Sequence, residues 1–402
     1  MCDQVTSQSA SLDYATDTVR VVYLSHAARH SGAEIGLRRF IEATRGRVES
    51  TVILAENGDL VPALEEAGAE VVVLPLAEDT RSLTRGQMRF GRQQVTAATQ
   101  LSQYVLRLRT ELAARRPDLV HAISLKSGPY GAVAGRMAGI PTIWHLHDHL
   151  IPEYLPPRVV PPMRLLAGTL PDGLLAPSQS VLRAAGHRRR GMVTGVIPFP
   201  VPRPEAPVEV RDEVSVIGMV GRLTHWKGQH VFLEAFARAF PEGPVRARII
   251  GNAMFGERDY EEGLHDLVAR LGIADRVDFL GFIEDINEEL RHIDVLVHAS
   301  ISADPLPGVV IEGMGAGLPV IASNAGGTPE YMTDGVDGIL HQPGDVDDLA
   351  RALRVAAGPR PKRAEIGEHA RETVRCYEPE PIVEKMLSFY GEVLSQRAVT
   401  PV

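Results

Sequence analysis

"VSVIGMVGRLTHWKGQHVFLEAFARAF", residues 214–240, reads as one strand, one short loop and one helix. The β-rich apolar run 214–221 ends on Gly221, which permits a tight turn. After Gly228, Phe232, Phe236 and Phe240 recur at four-residue spacing, so 229–240 is an amphipathic helix. Two cations, Arg222 and Lys227, stand between strand and helix. Together these features describe an anion site, because a helix N-terminus offers free N–H groups and a partial positive charge. The chain holds 38 arginines and only 4 lysines, so a lysine at 227 departs from its habit. An ammonium is a compact charge on a flexible stem, whereas a guanidinium is a planar fork. That difference points to a short reach to one phosphate oxygen. Taken alone, the stretch is equally well read as two solvated cations in a loop.

Working outward, the same alternation of short apolar runs and helical patterns fills the chain. Toward the C-terminus the runs are 246–251, 276–282, 294–300 and 318–323. Toward the N-terminus they are 19–24, 50–55, 70–75, 119–124, 142–147 and 173–178. Helix-period segments such as "AEIGLRRFIEA" and "QLSQYVLRLRTELAARR" lie between them. This is the pattern of parallel sheets wrapped by helices. Between the two series lies "VIPFPVPRPEAPVEV", 196–210, with five prolines that exclude a helix or an inner strand. The sequence thus predicts two doubly wound α/β domains. Residues 19–200 form the first, 201–213 a linker, 214–380 the second and 381–402 a terminal helix, with 1–18 a polar, disordered tail. At 402 residues, two domains of about 200 each suit the usual size of a single core. Ligands of such sheets sit at the carboxyl ends of the strands, and the default site is a cleft between the domains.

Bulk composition narrows the function. The two cysteines, Cys2 and Cys376, lie near opposite ends, so no disulfide framework is implied. The first residues lack the basic start and apolar run of a signal peptide, and no apolar run reaches membrane-spanning length, so a cytoplasmic location is expected. A net charge of −9 argues against nucleic acid as a partner. The charge is uneven, with 23 basic and 18 acidic residues up to 203 against 19 and 33 beyond. A mildly basic first half leaves room for weak contact with an anionic ligand or membrane surface.

A second constellation is "SISADPLPGVVIEGMGAGLPVIASNAGGTPEY", 300–331, where Asp304 and Glu312 stand eight residues apart among permissive glycines. Carboxylates accept hydrogen bonds from hydroxyls and cations hold a diphosphate, so the pair and the Arg222–Lys227 loop suit a sugar nucleotide. Spacing alone fits a capping acid and a solvated acid as well.

Together these residues resemble the retaining glycosyltransferases of the GT-B fold, family four (glycosyl transferases group 1). Arg222 and Lys227 match that family's "G-R-x…K-G" segment, and Asp304, Glu312 and the run "EGMGAGLPVIASNAGGTPE" match its Glu-x7-Glu segment. "SGAE", 31–34, looks like the family's first-domain glycine loop, and "GNAMFGERDY" and "VDFLGFIEDI" fall where relatives hold the nucleotide base. "PIVEKMLSFYGEVL" looks like a last helix crossing back to the first domain. The resemblance implies an enzyme moving a sugar from a nucleoside diphosphate sugar to an acceptor hydroxyl, with no metal cofactor. It implies that Arg222 and Lys227 bind the diphosphate, Asp304 the sugar and Glu312 the ribose. Gly32, Gly221, Phe282, Leu306, Gly308 and Val309 complete the donor-binding set. Two departures stand out: Asp304 is one methylene shorter than the family's glutamate, and Pro307 replaces a glycine and removes an N–H. Both bear on the sugar pocket.

A third cluster is "WHLHDH", 144–149. His145 and His147 alternate along a strand and point to one side. A metal site is one reading and a packed histidine another. The resemblance implies a histidine beside the transferred sugar, with His147 before Asp148 the better match and His145 the second. The sequence does not name the base, the sugar or the acceptor, which could be a glycan, a lipid-linked glycan or a natural product. A binding protein without transferase activity is the alternative. A nicotinamide-dependent oxidoreductase is disfavoured, since no dinucleotide fingerprint follows the first strand.

Overall fold

The structure is a computed structural model that describes residues 18–77, 92–253, 257–283 and 285–399. Most of the expected tail, 1–18, part of the 251–260 segment and the end of 381–402 lie outside the described residues. The chain forms two compact units, one made of residues up to Pro200 together with Pro379 onward, the other of Val201–Glu378.

In the first unit seven strands form one sheet: β1 (Val19–Ser25), β2 (Val48–Leu54), β3 (Glu70–Val73), β4 (Leu119–Ala122), β5 (Thr142–His145), β6 (Gly173–Ala176) and β7 (Val193–Val196). Their order is β3-β2-β1-β4-β5-β6-β7 and every pairing is parallel. Strands buried on both faces explain why the sequence shows continuous apolar runs instead of alternation. β7 was not among the expected strands. Its "VTGV" is short, contains glycine and runs straight into the proline-rich segment, so no pattern marks it. The terminal helix Pro379–Val399 returns to this unit and buries Ile382, Val383, Met386, Phe389, Tyr390 and Val393. Gly173 on β6 and Gly195 on β7 make room for it: a Cβ at either would lie 3.0–3.1 Å from the Phe389 ring.

The second unit repeats the plan with β8 (Val216–Val220), β9 (Arg246–Ile250), β10 (Val277–Gly281), β11 (Val295–His298), β12 (Val320–Ser323) and β13 (Ile339–His341). Their order is β10-β9-β8-β11-β12-β13, again parallel throughout. β13, also not expected, is three residues long and follows a turn closed by Asp334 and Gly338. The segment 201–213 is tied to this unit rather than slack. Val201 N–H donates to the Tyr377 carbonyl at 2.8 Å and Val208 N–H to Ala316 at 2.7 Å. The fully buried Arg363 donates to the carbonyls of Arg211 and Asp212 at 2.8 and 2.7 Å, and Arg371 to Pro204, Glu205 and Gly315. These carbonyls lie outside the strand ladders, and each of the two arginines satisfies more than one of them.

Strand order reverses between β1 and β4 in the first sheet and between β8 and β11 in the second. At such switch points the loops leaving the two neighbouring strands diverge and open a crevice at their carboxyl ends. The loops after β8 and β11 carry Arg222, Lys227 and Asp304.

Candidate active site

The loop after β8 is built to hold its two cations. His225–Lys227 form one turn of 3-10 helix, and Gly228 then takes φ 77° to start the helix Gln229–Ala239. Any side chain at 228 would strain this backbone and would also place a Cβ 2.1 Å from the Ala299 carbonyl oxygen. The buried Gln229 amide donates to the Arg222 carbonyl at 2.9 Å and accepts from the Tyr260 hydroxyl at 3.3 Å. Thr224 donates to Glu257 at 2.5 Å, and the other Glu257 oxygen lies 3.8 Å from Arg222 Nε. Phe232 and Phe236 of the following helix are buried, with ring centroids 6.2 Å apart, so the helix is anchored by the spacing that identified it.

Lys227 Nζ sits 2.5 Å from Asp304 Oδ2 and 4.4 Å from the centre of the Trp226 ring. The lysine side chain is 18% exposed and the carboxylate 7%. Asp304 Oδ2 also lies 3.2 Å from His298 Nε2, which is 2.8 Å from Ser300 Oγ. Burial pushes the Asp304 carboxyl up, but the Lys227 charge and the His298 hydrogen bond outweigh it and hold the carboxyl well below its usual range. Burial, against the pull of Asp304, pushes His298 down and keeps it neutral. Its Nδ1 is buried with no hydrogen-bond partner among the described residues, so the ring proton belongs on Nε2, facing the carboxylate. The Asp304 backbone is fixed as well: Gly327 N–H donates to its carbonyl at 2.9 Å, and Gly326, at φ 66°, approaches so closely that a Cβ would lie 2.0 Å from that oxygen. The "NAGG" glycines thus clamp the acid loop.

The structure therefore joins Lys227 and Asp304 directly and sets Arg222 on the same loop. Leu306 precedes, and Gly308, Val309 and Glu312 belong to, the helix Gly308–Gly315 that follows β11; Leu306 and Val309 are half-buried against the core of this unit. Phe282 follows β10 and is 53% exposed. Sequence reasoning missed His298, Ser300, Glu257 and Gln229. A polar His-x-Ser closing the apolar run 294–300 was the available signal for the first two.

In the first unit Gly32 opens the helix Gly32–Ala43 and is exposed. Behind it, Glu34 is buried and accepts from Ser25 Oγ at 2.9 Å and from Ser31 Oγ; burial pushes its carboxyl up. The strand expected over 142–147 ends at His145, yet the rings of His145 and His147 do lie together, 4.1 Å apart. Phe199 stacks on His147 at 5.2 Å and 14°. His145 is fully buried, whereas His147 keeps an exposed edge although its Nε2 is buried. Burial pushes His145 well down and His147 down to about 3. Among the described residues no group of three or more His, Cys, Asp or Glu side chains could hold a metal ion. No described helix is long and apolar enough to cross a membrane.

Residues 205–373 match the family Glycosyl transferases group 1, and residues 31–189 match the Glycosyl transferase 4-like domain. The chain is 30% identical over 349 residues to the sulfoquinovosyl transferase SQD2 of Arabidopsis thaliana, covering 78% of this chain and 65% of that one. It is 30% identical over 197 residues to D-inositol 3-phosphate glycosyltransferase of Stackebrandtia nassauensis, covering 47% of this chain and 44% of that one. The chain spans about half the length of the curated relatives it matches. Among solved structures, HepE of Anabaena in complex with UDP-glucose superposes with a TM-score of 0.79 at 28% identity, covering 92% of this chain and 99% of that one.

Proposed function

Because the chain belongs to the group 1 glycosyltransferases and has their GT-B α/β fold, we propose that it moves a sugar from a nucleoside diphosphate sugar to an acceptor hydroxyl with retention at the anomeric carbon and without a metal ion. The observation that carries this reading is the ion pair of half-buried Lys227 with buried Asp304 at the β8/β11 switch point, with Arg222 on the same loop. The bound UDP-glucose in HepE supports a nucleoside diphosphate hexose as the donor class.

In this reading Arg222 and Lys227 face the diphosphate and stabilise the negative charge that develops on it as the glycosidic bond breaks. The new bond forms on the face that the diphosphate leaves, and the acceptor proton passes to the departing phosphate oxygen. Asp304 commits Oδ2 to Lys227 and His298, which leaves Oδ1 for a sugar hydroxyl. Glu312 is assigned to the ribose. His147 is assigned to the sugar in preference to His145, because His145 is fully buried.

Two expectations separate these roles. Asp304→Asn retains nucleoside diphosphate binding and loses transfer by more than about tenfold, because a charge-assisted hydrogen bond is worth roughly 1.5–3 kcal/mol. Glu312→Gln weakens nucleotide binding itself. Calorimetric titration with the nucleoside diphosphate, beside a transfer assay, distinguishes them; an Asp304→Asn variant as active as the parent removes Asp304 from the mechanism. Turnover also survives EDTA, since two cations and a helix N-terminus supply the positive charge. Loss of turnover in EDTA with recovery in Mn²⁺ or Mg²⁺ contradicts the metal-free reading.

A further inference from the structure

The first unit contains a line of buried polar rings that the reaction as described does not use. Tyr390, on the terminal helix, places its hydroxyl 2.7 Å from His121 Nδ1 on β4. His121 Nε2 lies 3.3 Å from His145 Nδ1 at the end of β5. Tyr23 on β1 stands behind, its hydroxyl 3.5 Å from that of Tyr390. All four side chains have no exposure. Such a line is costly to bury unless it is satisfied, and hydrophobic residues would fill the same space more cheaply.

The line can carry its protons in one of two directions, and each couples the two rings. A neutral imidazole donates through one nitrogen and accepts through the other. If the Tyr390 hydroxyl donates to His121 Nδ1, His121 carries its proton on Nε2 and donates to His145 Nδ1, so His145 carries its proton on Nε2. In the opposite direction the Tyr390 proton is left with the Tyr23 oxygen at 3.5 Å, beyond a good O–H···O bond. Either way the two imidazoles carry their protons on like-named nitrogens, both on Nε2 in the first arrangement and both on Nδ1 in the second, so the line ties the tautomer of His145 to that of His121. His145 in turn lies against His147 at 4.1 Å, and Phe199 touches both rings, at 4.8 and 5.2 Å.

We propose that Tyr390 and His121 are positioning residues for sugar transfer: the line Tyr390–His121–His145 fixes the tautomer of His145, and His145 with Phe199 holds the His147 ring in the orientation that meets the donor sugar. Neither residue touches substrate; each acts through the next ring. The proposal rests on the assignment of His147 to the sugar.

The test is Tyr390→Phe, which keeps the ring and removes the hydroxyl. In protein labelled with ¹⁵N-histidine, the parent shows a single tautomer with the ring proton on the like-named nitrogen of His121 and His145, and the variant shows a mixture of tautomers. The kcat for transfer falls about five- to tenfold, the scale of one neutral hydrogen bond, while the donor KM stays within about twofold and the melting temperature is close to that of the parent. His121→Gln, whose amide can accept from Tyr390 and donate to His145, keeps more kcat than His121→Leu. Unchanged tautomers and kcat in Tyr390→Phe overturn the proposal, as does equal loss in His121→Gln and His121→Leu. A parent that shows the tautomers but transfers no sugar from any donor overturns the underlying reading and leaves the ring line a structural network only.

Discussion

Lys227→Ala lowers transfer by about a hundredfold or more, the scale for removing one preorganised charge from a site that stabilises a leaving group. The structure adds a second cost. Asp304 is left in a buried position with its cation gone, and breaking a buried pair by deleting one partner costs about 3–5 kcal/mol. The variant is therefore expected to be both slow and less stable, and the two effects separate by measuring kcat/KM at a temperature where the variant remains folded. Lys227→Arg is also poor. The Nζ position lies between the Asp304 carboxylate at 2.5 Å and the Trp226 ring at 4.4 Å, and a planar guanidinium is too wide for that space. This explains why a chain so rich in arginine keeps lysine here. Full activity in Lys227→Arg, assayed beside Lys227→Ala, contradicts that explanation.

Acid is expected to destabilise the first unit steeply below pH 6.5. His121, His145 and His147 are kept neutral by burial, with His121 and His147 down to about 3 against an ordinary value of 6.5. Above 6.5 neither the folded nor the unfolded chain protonates these rings, and they leave stability unchanged. Below it the unfolded chain takes up protons that the folded one cannot, so stability falls as the pH drops from 6.5 toward 3. Each ring contributes on the order of 1.4 kcal/mol per pH unit. With three such rings in one cluster the loss is a large share of the whole stability of a domain. The Asp304 pair acts in a separate window: its depressed carboxyl stabilises the fold above the ordinary carboxylate value of 3.8 and loses that contribution only at lower pH. Denaturant titrations at pH 7.5, 6.0 and 5.0 check this. The midpoint falls sharply toward pH 5, and His121→Gln shows a shallower fall. A midpoint independent of pH contradicts the account.

The fold was largely legible because eleven of the described strands fall in short apolar runs, the central ones buried on both faces and only edge strands such as β3 and β10 partly exposed. β7 and β13 were not, since "VTGV" and "ILH" are too short to show a period and owe their place to β6 and β12 beside them. The cations of the donor loop were readable from Gly221, Gly228 and the phenylalanine spacing, all local features. What joins Lys227 to Asp304 was not, because 77 residues separate them and only the β8–β11 pairing brings the two loops together. His298 behind the acid, and Tyr390 and His121 behind His145, depend likewise on strands and a helix distant in sequence. Their chemistry was visible as residue types, and their partnership was not.

The central claim is that this chain breaks the bond between a sugar and a nucleoside diphosphate and keeps the anomeric configuration. Proton NMR of the parent protein with a panel of nucleoside diphosphate sugars, with and without a simple glycoside acceptor, tests it most directly. The account predicts that the anomeric signal of at least one donor declines and that the first sugar product carries the donor's own anomeric configuration. Donors that all remain intact while the nucleotide binds, or a first product of inverted configuration, would contradict it.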